Sequence, residues 1–330
     1  MNKKLNVSAS PHVRSKDSTS SIMRDVVIAM VPTTIVGIAN AFMNFGSGVG
    51  INSILVILIT MAAAIGAEYV YEMITKKPIT ICDWSAAVTG LILALNMPHT
   101  IAPWIPALGA VFAIVIVKML YGGLGQNFMN PALAGRCFLL ISFAGPMTGF
   151  IPADSALAAV TGATPLADMK ANGVAAMLEH YSMMDMVTGM IPGTIGETSV
   201  IALLLGAAYL LYKKVIDWKI PVTYIATVAL FSLIFAPAGS DRLMYMLAMV
   251  FGGGLIFGAF FMATDYVTSP ITPKGQIVFG ICLGLLTGIF RIFGGSAEGV
   301  SYAIIFCNLL VPLIEKFTMP VPFGLGKEKK

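Results

Sequence analysis

A chain of 330 residues with 57% hydrophobic and 11% charged residues, and a mean hydropathy of +0.87, has too few charges to cover a surface facing water. Its solvent is therefore lipid, and a soluble enzyme or a nucleic-acid-binding domain is excluded. The net charge of +4 does not argue for nucleic acid, because the basic residues sit in short loops between apolar segments.

Met1 to Ser21 is a polar tail without the apolar core or small-residue cleavage site of a signal peptide. Ten apolar segments follow, near 24–44, 51–73, 83–97, 103–121, 131–144, 197–213, 219–236, 242–263, 275–293 and 299–317. Most approach the ~20 residues that cross a bilayer as a helix. The third stops at Asn96-Met97-Pro98 and the fifth spans only Pro131 to about Ala144. Short, Gly/Pro-interrupted segments often line a site as broken helices. The expected organisation is a cytoplasmic tail (1–21), a first five-helix half (22–144), an extracytoplasmic interval (145–196), a second five-helix half (197–317) and a cytoplasmic tail (318–330). An odd number of crossings per half gives inverted repeats. Gly90-Leu91-Ile92-Leu93-Ala94 is weakly echoed by Gly254-Leu255-Ile256-Phe257-Gly258. With the N-terminus cytoplasmic, only Lys170, Arg242 and Arg291 of the 20 Lys and Arg fall outside. Insertion bias predicts that asymmetry.

Several stretches carry candidate chemistry. Tyr121-Gly122-Gly123-Leu124-Gly125-Gln126-Asn127-Phe128-Met129-Asn130-Pro131-Ala132 joins the fourth and fifth segments. Its glycines permit close backbone approach, and Asn127 and Asn130 supply amide donors and acceptors. Asn130 with Pro131 reads as a helix start, whose free N–H groups suit an anionic or carbonyl group. Arg136 lies inside the fifth segment, placed to pair a carboxylate or bind a phosphate. Val160-Thr161-Gly162-Ala163-Thr164-Pro165-Leu166-Ala167 lies in the longest polar interval. Gly162 frees the backbone and Pro165 disfavours helix at Thr164, so an extended, accessible hydroxyl is expected. Gly196-Glu197-Thr198-Ser199 opens the sixth segment with capping chemistry. Thr264-Asp265 ends an uncharged run, and an ionisable group at that depth defaults to function. Glu68 and Asp83 are similar but nearer loop ends. Cys82, Cys137, Cys282 and Cys307 are dispersed singly and read as buried, inert thiols, and His12, His99 and His180 are too scattered for a metal motif.

Together these pieces resemble the RnfD/NqrB family, the large membrane subunits of the Rnf and Na+-pumping NADH:quinone reductase complexes. The resemblance includes Ser10-Pro11-His12, Gly122 to Asn127 with Asn130-Pro131-Ala132, Thr161-Gly162-Ala163-Thr164, Gly196 to Ser199 and Ala263-Thr264-Asp265. The Ala-Thr-Pro-Leu-Ala form looks more like RnfD. The resemblance implies an all-α, urea-transporter-like fold of inverted repeats. It also implies covalent FMN on Thr164, joined through its phosphate by a flavin transferase, and a second, non-covalent flavin, riboflavin, within the bundle. The implied role is electron relay between ferredoxin and NAD+, coupled to Na+ or H+ movement, alongside the other Rnf subunits A, B, C, E and G. Asp265 with Glu68 is expected on the cation path. The chain departs from the family pattern at Ala158, where Asp is usual, and at Tyr266, where many relatives have Pro. Two other readings use the same architecture: a urea- or ammonium-type solute channel, which has no need of the threonine loop, and a structural anchor, which binds no flavin.

Overall fold

The computed structural model describes residues 17–150, 164–197, 199–237, 239–295 and 299–320, so Ser10-Pro11-His12, Ala158 and Thr198 lie outside the described residues. Every named element among those residues is helical, and an isolated β-bridge joins Pro98 to Thr194. Ser18 caps the first helix by accepting from Ser21 N at 3.2 Å, while the Ser21 hydroxyl accepts from Ser18 N at 2.9 Å. This reciprocal cap satisfies two orphan donors of the helix start. Helices α1 (Thr19–Phe45) and α2 (Ser47–Thr75) form a hairpin turning on Gly46, whose φ of 90° favours glycine.

Helix α3 (Ser85–Leu95) is short because its end is tied off. All of its residues are buried, as in a core helix with no solvent face. Asn96 Nδ2 donates to Ile92 O at 2.7 Å. Beyond it, Leu95 O and Met97 O accept from Gly196 N at 2.7 Å and Ile195 N at 2.9 Å. Helix α4 (Trp104–Phe112) continues as a π-helix over Ala113–Met119, and α5 (Pro131–Ser142) starts on Asn130.

The described residues of the 145–196 interval include helices. The short α6 (Ala144–Thr148) enters it, and it holds α7 (Pro165–His180), kinked at Gly173, and α8 (Met183–Thr188). The second half comprises α9 (Val200–Tyr212), α10 (Lys219–Ile234), α11 (Arg242–Phe251), α12 (Leu255–Phe257) continuing as a π-helix over Gly258–Met262, α13 (Pro273–Phe293) and α14 (Val300–Thr318). The continuous eighth segment expected over 242–263 is corrected: the chain bends by 58° between α11 and α12. Gly252-Gly253-Gly254 permits the break, with Gly253 at φ 63°, and the guanidinium of Arg291 donates to Met249 O and Gly252 O, carbonyls released there. A second correction concerns Cys82, which is exposed rather than buried, while Cys137 and Cys307 are buried.

Helices α10 and α13 run parallel in close contact. A Cβ built on Gly280, Gly284 or Gly288 meets Thr223, Thr227 or Phe231 at 2.9 Å or less. Glycines four apart let helix backbones approach, and such packing drives association where lipid is the solvent.

Contacts between helix ends define two ends of the molecule. At one, Ser20 Oγ donates to Cys82 O (3.0 Å), Tyr209 OH to Asp25 (2.9 Å) and Thr272 Oγ1 to Thr318 Oγ1 (2.9 Å). At the other, Asn40 Nδ2 donates to Gly189 O (2.7 Å), Lys170 Nζ to Arg291 O (3.0 Å), and the rings of Phe235 and Phe293 lie 5.8 Å apart. Helices α1, α2, α13 and α14 are long and apolar enough to cross a membrane, and the bent α11–α12 pair makes a fifth candidate. Helices α3, α4, α5, α9 and α10 are shorter and apolar. Outward-facing Leu58, Leu205 and Leu230 are exposed, as lipid-facing side chains are.

Candidate functional site

Two places concentrate chemistry, one at each end. At the α7 end, Thr164 has φ −66° and ψ 155° and caps α7, its Oγ1 accepting from Ala167 N at 3.3 Å. Pro165 occupies the first turn and brings no N–H, so Leu166 and Ala167 present the helix's first amides. Burial of Leu166 and Met169 against Tyr245, Ala248 and Met249 fixes the orientation of α7. Asp168, one turn in, accepts from Asn172 Nδ2 at 2.7 Å and from His180 Nδ1 at 2.9 Å. The His180 hydrogen bond holds the Asp168 carboxyl below its ordinary range, against the opposing effect of burial. Thr161, Gly162 and Ala163 lie outside the described residues.

At the opposite end, a cavity of about 770 Å³, counting its open mouth, lies between the first turns of α1, α3, the end of α9 and the polar turn after α12. Its walls include Met23, Leu210 and Phe260, and its polar groups include Thr89, Lys118, Asn127, Asn130 and Asp265. The π-helix of α4 carries Lys118, 2% exposed, onto this wall. Its Nζ donates to both Glu68 oxygens at 2.9 Å and to Ser85 Oγ at 2.6 Å. All three ammonium hydrogens are thereby placed. Glu68 also accepts from Thr80 Oγ1 at 3.3 Å. Asn130 Oδ1 accepts from Ala132 N at 3.0 Å and Leu133 N at 3.3 Å, while its Nδ2 donates to Met262 O at 3.3 Å. The Asn127 amide donates to Met129 O at 3.0 Å, in a linker where Gly122, Gly123 and Gly125 all have positive φ. Asp265 accepts from Thr268 Oγ1 at 3.1 Å and Val267 N at 3.4 Å.

The cavity thus brings together Asn127, Asn130 and Asp265 from distant parts of the chain. Glu68 is not on the wall but one ion pair behind it, through Lys118. Arg136 is elsewhere: 4% exposed, it reaches across to Ser301 Oγ on α14, and it joins neither the cavity nor Thr164. Sequence reasoning misses Lys118, which it counts only as a charge for orientation. The available signal is its position in the apolar run Ile114-Val115-Ile116-Val117-Lys118-Met119.

These features define a multi-pass helical membrane protein with a polar-lined cavity at one end and a helix-capping threonine at the other. The chain belongs to the NQR2, RnfD, RnfE family, whose model matches residues 6–324. It is similar to the D subunit of the Na(+)-translocating ferredoxin:NAD(+) oxidoreductase complex of Acetobacterium woodii, at 46% identity over 99% of this chain and 97% of that protein. It is also similar to the D subunit of the proton-translocating ferredoxin:NAD(+) oxidoreductase complex of Clostridium ljungdahlii, at 44% identity over 96% of each chain. The D subunit of the ion-translocating oxidoreductase complex of Erwinia tasmaniensis is 34% identical over 98% of this chain and 99% of its own length.

Proposed function

We propose that this chain is a membrane subunit of an ion-translocating ferredoxin:NAD+ oxidoreductase complex of the Rnf type. In this reading it carries FMN joined through phosphate to Thr164 and relays electrons coupled to Na+ or H+ transport. The observation that carries the proposal is Thr164 itself: an extended residue on the first turn of α7, in a chain that aligns end to end with D subunits. A phosphoryl group on its Oγ would lie against the Leu166 and Ala167 amides, at the positive end of the α7 dipole. The residues present therefore fit a phosphate-linked group. A flavin supplies the electron-carrying chemistry when bound; the chain's own part is to hold it and tune its surroundings.

The cavity at the opposite end suits a second, non-covalent flavin, riboflavin. Its apolar walls with a few convergent polar groups suit a flat, amide-edged ring. Asn127 and Asn130 would hold it, and Asp265 would belong to the cation path. Arg24, Lys76, Lys77, Lys213, Lys214, Lys219, Lys274 and Lys316 lie at or near helix ends on this side. That supports a cytoplasmic-membrane topology with both termini cytoplasmic and Thr164 extracytoplasmic. Helix α2 packs on α4 as α10 packs on α13, α1 meets α9 and α5 meets α14. These pairings support ten crossings in two inverted five-helix repeats. The other Rnf subunits and a flavin transferase are the implied partners, because this chain has no nucleotide or iron–sulfur motif of its own.

The test is in-gel fluorescence of the denatured protein from its native host. Wild type should show a flavin band and Thr164→Val none. Intact mass equal to the bare polypeptide in wild type overturns the proposal.

A further inference from the structure

Between α7, the end of α10, α11 and the end of α13 lies a further cavity of about 510 Å³, counting its open mouth. We propose that it seats the ring system of the flavin tethered at Thr164, an inference that rests on the reading of Thr164 given above. Three observations point there. The first is reach: Leu166, on the cavity wall, is two residues beyond Thr164, a chain distance of at most about 7 Å. The second is shape and character. Leu166, Met249 and Ile292 with the rings of Phe235 and Tyr245 make an apolar, aromatic lining for a flat tricyclic group.

The third observation is charge. Lys170 and Arg291 both border this cavity. Arg291 is 3% exposed and anchored on Met249 O and Gly252 O at the α11–α12 break. Lys170 is anchored on Arg291 O at 3.0 Å and on Gly294 O. The backbone carbonyls that hold these cations also fix where they stand. A flavin gathers negative charge on its pyrimidine end when it takes up electrons. Two cations beside the ring, Arg291 buried and Lys170 exposed, favour that electron-rich form. The break in the eighth apolar segment thus acquires a use: it turns α11 aside and sets Arg291 at the floor of the cavity.

The experiment uses the whole flavinylated complex solubilised from its native host. Every flavin signal is read as the difference from a Thr164→Val complex, which removes other flavins in the assembly. Iodide quenching and fluorescence anisotropy report whether the ring is seated, and intact mass of this subunit reports attachment. The expected result is a shielded, slowly rotating ring in wild type. Met249→Trp, which fills the cavity, should leave the mass increment intact and raise quenching toward that of free FMN. Lys170→Gln, at an exposed position that leaves the core alone, should keep the ring seated and lower its midpoint potential. An attached flavin as open to iodide in wild type as in Met249→Trp, with an unchanged potential in Lys170→Gln, overturns the seat while leaving the reading of Thr164 standing. A subunit with no added mass overturns both.

Discussion

Lys118 has three ammonium hydrogens, and two Glu68 oxygens and Ser85 Oγ take them. With both partners of the pair 2% exposed or less, what matters is balance more than attraction. Removing one partner strands a buried charge, at a cost of about 3–5 kcal/mol, whereas replacing both with neutral groups is often tolerated. Lys118→Met should therefore lower the thermal midpoint of the purified protein markedly, and Lys118→Met combined with Glu68→Gln should recover most of the loss. Equal melting of single and double variants would show that the pair is not coupled in this way. No local pattern reveals this pair, since its members are 50 positions apart. The Asn130 cap, by contrast, is legible, because Asn-Pro before an apolar run is a local signal whose partners lie within three residues.

At the scale of elements, most apolar segments are legible because a window of side chains averages hydropathy well. The same averaging hides the break after Phe251, where Gly252-Gly253-Gly254 leaves the window apolar while releasing the backbone. It also hides α7, which is kinked at Gly173 and carries several polar residues, and the six-residue α8. Two predictions belong here. Gly284→Leu puts a side chain where a Cβ alone would already clash with Thr227. Overpacking of this kind costs about 1–3 kcal/mol, so the variant should melt lower and lose α10–α13 contact in crosslinking. The second concerns pH and α7. The carboxyl of Asp168 is depressed in the folded chain, chiefly by the His180 hydrogen bond. Its stabilisation is complete above the ordinary Asp value of about 3.9 and is lost as pH falls through the lower folded value. Hydrogen exchange across α7 should therefore quicken below about pH 4 in wild type and be fast already at neutral pH in Asp168→Asn. Protection that stays flat with pH in both would rule out this clip.

For the whole molecule, the lysine-rich helix ends and the α7–α8 layer lie at opposite ends of α1, α9 and α13. In a Cys82→Ser background, Met184→Cys on α8 should react with an impermeant maleimide in intact cells. Lys214→Cys should react only after the membrane is opened, and the reverse pattern would invert the topology. The same separation has an electrical consequence. If, as proposed, one carrier sits on Thr164 and another in the cavity beside Asp265, an electron passed between them would travel along the bilayer normal. Moving one elementary charge through the full field is worth about 2.3 kcal/mol per 100 mV. Membrane voltage would therefore enter the redox balance between the two sites directly, opposing traffic in one direction and assisting it in the other, before any ion has moved.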